Sequence, residues 1–257
     1  VSSDNGNKNG GTYASWNWKA NGQGSSNTDG SINTTYTSVN TTAGFSIITY
    51  TGTGSAGTIG HGLGAVPDFW QIKARSETRS WYGWSKGMNY GDVVNWTHNG
   101  AKSTDTSLFG TNAPTSSVIN LGNSVGVNNN GITFVCYAWT SIPGFSKIGL
   151  YKGNGSTDGP FIYTGFRPAF VMTKRINGES NWQIIDTARN TINPTINSLF
   201  PDTNDAETGT YSTDYLSNGF KIRVTTGSRN GSGDTYIYMA FAEAPLVGSN
   251  NVPCTAR

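Results

Sequence analysis

Apolar and polar residues alternate along this chain in short runs, each closed by Gly, Pro, Asn or Asp. That rhythm predicts β-strands with one buried face rather than helices. The first half predicts strands at 46–51, 68–75, 80–85, 92–96, 106–109, 117–121 and 132–140. The second predicts them at 146–152, 169–176, 181–186, 198–200, 212–216, 219–225 and 234–243. Turn pairs such as Asn177-Gly178 and Asn218-Gly219 separate them. No 3.6-residue period is long enough for a substantial helix.

The pattern repeats. Gly44-Phe45-Ser46 returns as Gly144-Phe145-Ser146, and Tyr50 to Ser55 as Tyr151 to Ser156. Gly64 to Phe69 returns as Gly165 to Phe170, and Thr133 to Trp139 as Thr235 to Phe241. The offset stays between 100 and 102 residues. A unit of about 100 residues is the size of a small β-sandwich. The expectation is therefore an all-β chain of two tandem antiparallel, jelly-roll-like β-sandwich repeats, at 41–143 and 144–257. One larger pseudo-symmetric assembly remains the alternative. Residues 1–40 read as the end of a preceding unit plus a linker. Within them, Gly11 to Trp18 looks like another closing strand, or one that completes the first sandwich, and 21–40 reads as linker or long loop.

Composition sharpens this picture. Ser, Thr, Asn and Gly make up 122 of 257 residues, and charged residues only 12%. The 31 aromatic residues exclude a disordered chain, and the scarcity of helix formers excludes a helical bundle. A net charge of +2 without basic clusters points away from nucleic acid and anionic membranes. The apolar run Ile132 to Trp139 is too short to span a bilayer. Cys136, inside a strand-like run, reads as a buried thiol, and Cys254 in the tail as a free one.

Candidate chemistry is sparse. Gly52 to Gly57 fits a dinucleotide fingerprint, but Thr58 to Gly62 cannot open the helix that motif needs. Gly83-Trp84-Ser85-Lys86-Gly87 fits a nucleophile elbow, without α/β alternation around it. No carboxylate pair stands out among Glu77, Glu179, Glu207 and Glu243, though folding could assemble one. Asp202 to Glu207 lacks calcium-loop spacing, and His61 and His98 lack partners at metal spacing, so neither metal nor cofactor is expected.

Aromatic faces are the remaining signal, because they can stack on sugar rings. Phe69 and Trp81 match Phe170 and Trp182, which favours core positions. Tyr82, Tyr90, Trp96 and His98 lie where the halves diverge and are the candidate ligand-binding residues. The comparable variable stretch of the second half runs from Arg189 to Tyr211.

Several strings resemble a family of uncharacterised repeat domains in tail-fibre and other virion proteins of marine bacteriophages. They include Tyr13 to Asn21, Asn40 to Ser46, Ala113 to Val118, Asp158 to Pro168, Asp186 to Asn190 and Tyr236 to Pro245. The resemblance implies a non-enzymatic virion structural protein, the C-terminal part of a fibre, assembled as a homotrimer with other virion proteins. A host-surface glycan or outer-membrane protein would be its target. A non-adhesive shaft or capsid-decoration module is the alternative, and a polysaccharide depolymerase a third reading. The resemblance carries no catalytic residues.

Overall fold

A computed structural model describes residues 8–242. The first half contains β1 (Tyr36–Asn40), β2 (Phe45–Thr51), β3 (Gly57–Gly60), β4 (Phe69–Ala74), β5 (Tyr82–Ser85), β6 (Asp92–Asn95) and β7 (Ser103–Thr104). It continues through a helical turn α1 (Thr106–Phe109), β8 (Val118–Leu121), a second turn α2 (Val125–Asn128) and β9 (Thr133–Trp139). The second half contains β10 (Ser146–Lys152), β11 (Phe161–Tyr163), β12 (Pro168–Arg175) and β13 (Gln183–Asp186). It ends with β14 (Thr213–Leu216), β15 (Gly219–Ile222) and β16 (Thr235–Ala242).

The protein is all-β, and its ladders are antiparallel. A seven-stranded sheet runs β1-β2-β9-β4-β5-β6-β7, and a four-stranded sheet runs β10-β16-β12-β13. Both place the closing strand of their half in the same way, β9 between β2 and β4 and β16 between β10 and β12. A two-stranded sheet (β3-β8) and a three-stranded sheet (β11-β15-β14) complete the set.

Period-2 alternation explains the layering. On β16, Tyr236, Tyr238 and Ala240 pack with Phe220 and Ile222 of the three-stranded sheet. Ile237, Met239 and Phe241 point the other way, into a core shared with Phe45, Phe69 and Trp139 of the first half. The two large sheets therefore meet across a common core, while the second half keeps a core of its own on the other face of β16.

Matched polar anchors hold the glycine-rich loops. Asn128 and Asn230 are both fully buried. Asn128 Oδ1 accepts from Thr53 N (2.9 Å), while its Nδ2 donates to Ser55 O (2.7 Å) and Gly122 O (2.9 Å). Asn230 Oδ1 accepts from Asn154 N (2.8 Å), while its Nδ2 donates to Ser156 O (2.7 Å) and Val224 O (2.8 Å). Gly52 and Gly153 must be glycine, since a Cβ would collide with the Asn129 and Gly231 carbonyl oxygens. The fingerprint-like Gly52 to Gly57 is thus a connection between β2 and β3. Replacing Asn230 with Ala strips partners from the Asn154 amide and from the Ser156 and Val224 carbonyls, the last of them fully buried, so urea denaturation should show a loss of about 2 kcal/mol.

Four expectations change. Residues 106–109 form a helical turn, because Asp105 caps it by accepting from Ser107 N at 3.0 Å. Residues 198–200 contribute only isolated bridges at Ser198 and Leu199. Residues 36–40, read as linker, form the edge strand β1, which buries Thr37 and Ser38 with hydrogen-bonded hydroxyls instead of apolar groups. Gly11 to Trp18 makes no ladder and is held by the side chains of Trp16 and Trp18. Cys136 is a buried free thiol, whereas Cys254 and Glu243 lie outside the described residues.

Candidate functional site

The face of the seven-stranded sheet that looks toward the second half carries a row of aromatic rings. Phe45 lies over Tyr137 at 6.4 Å and 2°, Tyr137 over Trp81 at 6.0 Å and 25°, and Trp81 over Trp96 at 6.4 Å and 29°. Register produces the row. Phe45 faces Trp139 across β2 and β9, so Ile47 and Tyr137 share that face, and Gln71 pairs with Tyr137 across β4 and β9. Trp81 and Tyr137 are only half-buried.

Across from the row stand Phe170, Met172, Ile184 and Met239 of the four-stranded sheet, with Pro201 at the rim. The N-terminal segment closes one end with Trp16, Asn17 and Trp18. The Trp18 ring meets Trp139 (6.0 Å), Phe170 (5.6 Å) and Phe241 (5.3 Å) edge-on, bridging the two halves. The space enclosed is about 470 Å³.

Three buried polar atoms on this lining have no hydrogen-bond partner: Gln71 Oε1, Trp96 Nε1 and Trp139 Nε1. One is an acceptor and two are donors. Buried polar groups are rarely left unpaired, because each costs about 1–3 kcal/mol. These three atoms are sealed within the packing, so what the groove itself offers is flat apolar ring faces, which suit a ligand with an apolar ring face. A sugar ring has that character, with C–H groups on its faces and hydroxyls at its rim.

Of the four residues the sequence singles out, the groove takes in Trp96, whose ring also packs on Phe69 (5.8 Å) and Trp182 (5.2 Å). Tyr82 pairs with Asn95, so it projects from the opposite face to Trp96 and packs beside Gly126 of α2. Tyr90 is exposed and stacks on Trp84 at 5.5 Å. His98 is exposed, and its Nδ1 accepts from Gly100 N at 3.0 Å. The structure does not gather the four into one site. It adds Phe45, Gln71, Trp81, Tyr137 and Trp139, which the sequence assigned to the core or passed over. The signal for them was the alternation Phe45/Ile47 and Tyr137/Trp139 on paired strands.

A second, more polar cleft of about 920 Å³ lies between Thr12–Trp16 and the residues around Asp186, Arg189 and Glu207. Arg189 Nε donates to Asp186 Oδ2 at 2.7 Å, and its Nη1 donates to Glu207 Oε2. Trp16 Nε1 also donates to Asp186 Oδ2 (3.2 Å), while its ring lies 5.7 Å from the Arg189 guanidinium. The two carboxylates are therefore bridged by a cation, in the space where a glycosidic oxygen and a water would have to sit. Ser85, the serine of the elbow-like motif, is fully buried within β5.

Burial governs the other titratable groups. His61 is fully buried, with Nδ1 accepting from Leu63 N at 3.1 Å, and burial lowers its pKa. Burial lowers that of Lys174 to about 8 and raises that of Asp202. Lys174 Nζ donates to Asn99 O (3.1 Å) and Arg175 O (2.7 Å), tying the halves together. Among the described residues, no three His, Cys, Asp or Glu side chains converge as a metal site would require. No helix among them is long and apolar enough to cross a membrane.

No curated protein and no solved structure matches this chain. A family model does, over residues 1–245, which is nearly the whole sequence. The chain belongs to the family DUF7483, a domain of unknown function.

Proposed function

We propose that this protein is a structural component of a bacteriophage virion, part of a tail fibre, and that it binds a host-surface glycan through the aromatic groove between its large sheets. The observation that carries the reading is the row Phe45–Tyr137–Trp81–Trp96, with Trp81 and Tyr137 only half-buried. The placement in a virion rests on the sequence resemblance to marine phage fibre domains. Assembly as a homotrimer would present several copies, so that weak sugar contacts add up to firm attachment. The Arg189-bridged carboxylates favour binding over hydrolysis.

Attachment of the purified, assembled protein to host cells tests this. Cells should retain it, and soluble host polysaccharide should compete it away. Attachment that resists every host polysaccharide would replace the glycan with a protein target. Absence of attachment by the assembled oligomer would leave a non-adhesive virion module.

A further inference from the structure

The two halves finish their large sheets differently at one edge. In the first half, β1 pairs along the outer side of β2. In the second half, β10 takes the place of β2 and is the edge strand of its sheet. Chain order explains the difference. The first half draws its cover from residues 25–40, ahead of β2. The residues ahead of β10 are the turn 140–145 and β9, which is already built into the other sheet.

Matched residues show what the cover does. His61 Nδ1 accepts from Leu63 N (3.1 Å), and Thr164 Oγ1 accepts from Phe166 N (3.4 Å). Gly62 and Gly165 therefore sit at equivalent turns, both with positive φ. Gly62 lies under β1, with methyl carbons of Val39 and Thr37 at 3.2 and 3.4 Å from where a Cβ would stand. Gly60 lies under the Asn27 side chain, which leaves no room for a Cβ. In the second half no segment covers these positions. Gly165 lines an open cleft of about 650 Å³ together with Leu150, Tyr163, Thr164 and Tyr238. Tyr163, in the place of Gly60, is 58% exposed. Lys147 steadies it, with Nζ donating to Tyr163 O (3.0 Å) and lying 5.1 Å from the ring centre.

The cleft also meets unused backbone. Ser146 N donates to Ile142 O (2.9 Å) and Ile148 N to Ser141 Oγ (3.1 Å), so alternate residues of β10 turn their peptide groups away from β16. Leu150 continues that series, and among the described residues nothing bonds its amide or carbonyl on the outer side. In the first half, Thr49 holds the position of Leu150 and accepts there from Thr35 N at 2.7 Å. The Leu150 side chain is itself partly exposed and rests against Gly87.

We propose that this cleft binds an extended segment of a partner polypeptide, which adds to β10 as the chain ahead of β2 adds to β2. Its backbone would take the Leu150 amide and carbonyl. Small hydroxyl and β-branched side chains, the kind β1 presents to Gly62, would pack over Gly165 beside the Tyr163 ring. The turn at Ser141 and Ile142 closes the edge at Ser146 and Ile148, so the added strand is short. None of the residues lining the cleft belongs to the aromatic groove, so the proposal stands apart from the glycan reading.

A synthetic peptide copying Thr34–Asn40, titrated into the isotope-labelled full chain, tests it by amide chemical shifts. Saturable shifts at Leu150 and Gly165 are expected. Leu150→Pro removes the amide at an edge position that tolerates proline, and should weaken the peptide about tenfold. Tyr163→Ala, at an exposed position where folding is not at stake, should weaken it about fivefold. No shift at millimolar peptide would overturn the proposal. So would peptide affinity that stays at the wild-type value in Y163A and L150P.

Discussion

Raising the pH above about 10 should unfold this protein over a narrow interval. Five buried tyrosines, Tyr50, Tyr151, Tyr215, Tyr236 and Tyr238, have their pKa values raised by desolvation, the last two to about 12. In the unfolded chain they ionise near 10. Between those values the unfolded state binds fewer protons than the folded one, so stability falls as pH rises. Each tyrosine removes about 1.4 kcal/mol per pH unit, so together they remove about 7 kcal/mol per unit. A typical domain has about 5–15 kcal/mol in all.

Two further groups act at lower pH, with opposite signs. Lys174 is depressed to about 8 by burial, so between there and about 10.4 the unfolded state binds the extra proton and stability rises. Cys136 is raised by burial, so stability falls once an unfolded thiol begins to ionise, near 8.5. The two contributions largely offset one another, and the stability curve should stay nearly flat before the steep tyrosine limb. Lys174→Met should remove the rising contribution, so that stability falls from about pH 8.5 onward, and should lower stability below pH 8 because the Asn99 and Arg175 carbonyls lose their donor. Denaturant melts from pH 7 to 11.5 with tyrosinate absorbance as a second probe check this. Ionisation of all twelve tyrosines near pH 10 with the fold intact would refute it.

Trp18→Ala should cost about 2–3 kcal/mol and free the N-terminal segment. The segment has no ladder to hold it: its one backbone hydrogen bond among the described residues is local, from Gly11 N to Lys8 O. Its hold on the body comes from side chains. Trp18 sits against three rings from both halves, and Trp16 Nε1 donates to Asp186. At the far end, Asn40 Nδ2 donates to Lys19 O (3.1 Å) and Asn21 N donates to Ser38 Oγ (3.0 Å). Removing the Trp18 ring leaves a void where the two sheets meet and one anchor too few for a segment without a ladder. Trypsin cleavage at Lys19 should then accelerate strongly, with the rest of the protein still folded. Cleavage at the wild-type rate would show that Trp18 is not the anchor.

The closing strands were legible in the sequence because they alternate cleanly. The expected 132–140 and 234–243 became Thr133–Trp139 and Thr235–Ala242. The edge strand β1 was not legible, because it buries hydroxyls satisfied by local hydrogen bonds, which read as loop composition. Gly11 to Trp18 misled in the opposite direction. Its alternating aromatics look like a strand, yet they are anchors reaching into a groove made by distant strands. Trp81 shows why the site stayed hidden. It matches Trp182 in sequence, but Trp182 is 1% exposed with its Nε1 bonded to Asn95 O, while Trp81 is half-buried in the aromatic row. Two equivalent rings thus occupy different environments, and only the packing of one sheet on the other separates them.

Glycan binding, as proposed above, depends on the row Phe45–Tyr137–Trp81–Trp96 as its sugar-stacking surface. A glycan array probed in parallel with the assembled wild type, Trp81→Ala and Tyr90→Ala measures this most directly. Losing one stacked ring should weaken binding by about tenfold in the Trp81 variant. The Tyr90 variant, whose ring lies outside the groove, should bind like wild type. Glycan binding by Trp81→Ala equal to wild type, or lost in Tyr90→Ala instead, would contradict the claim.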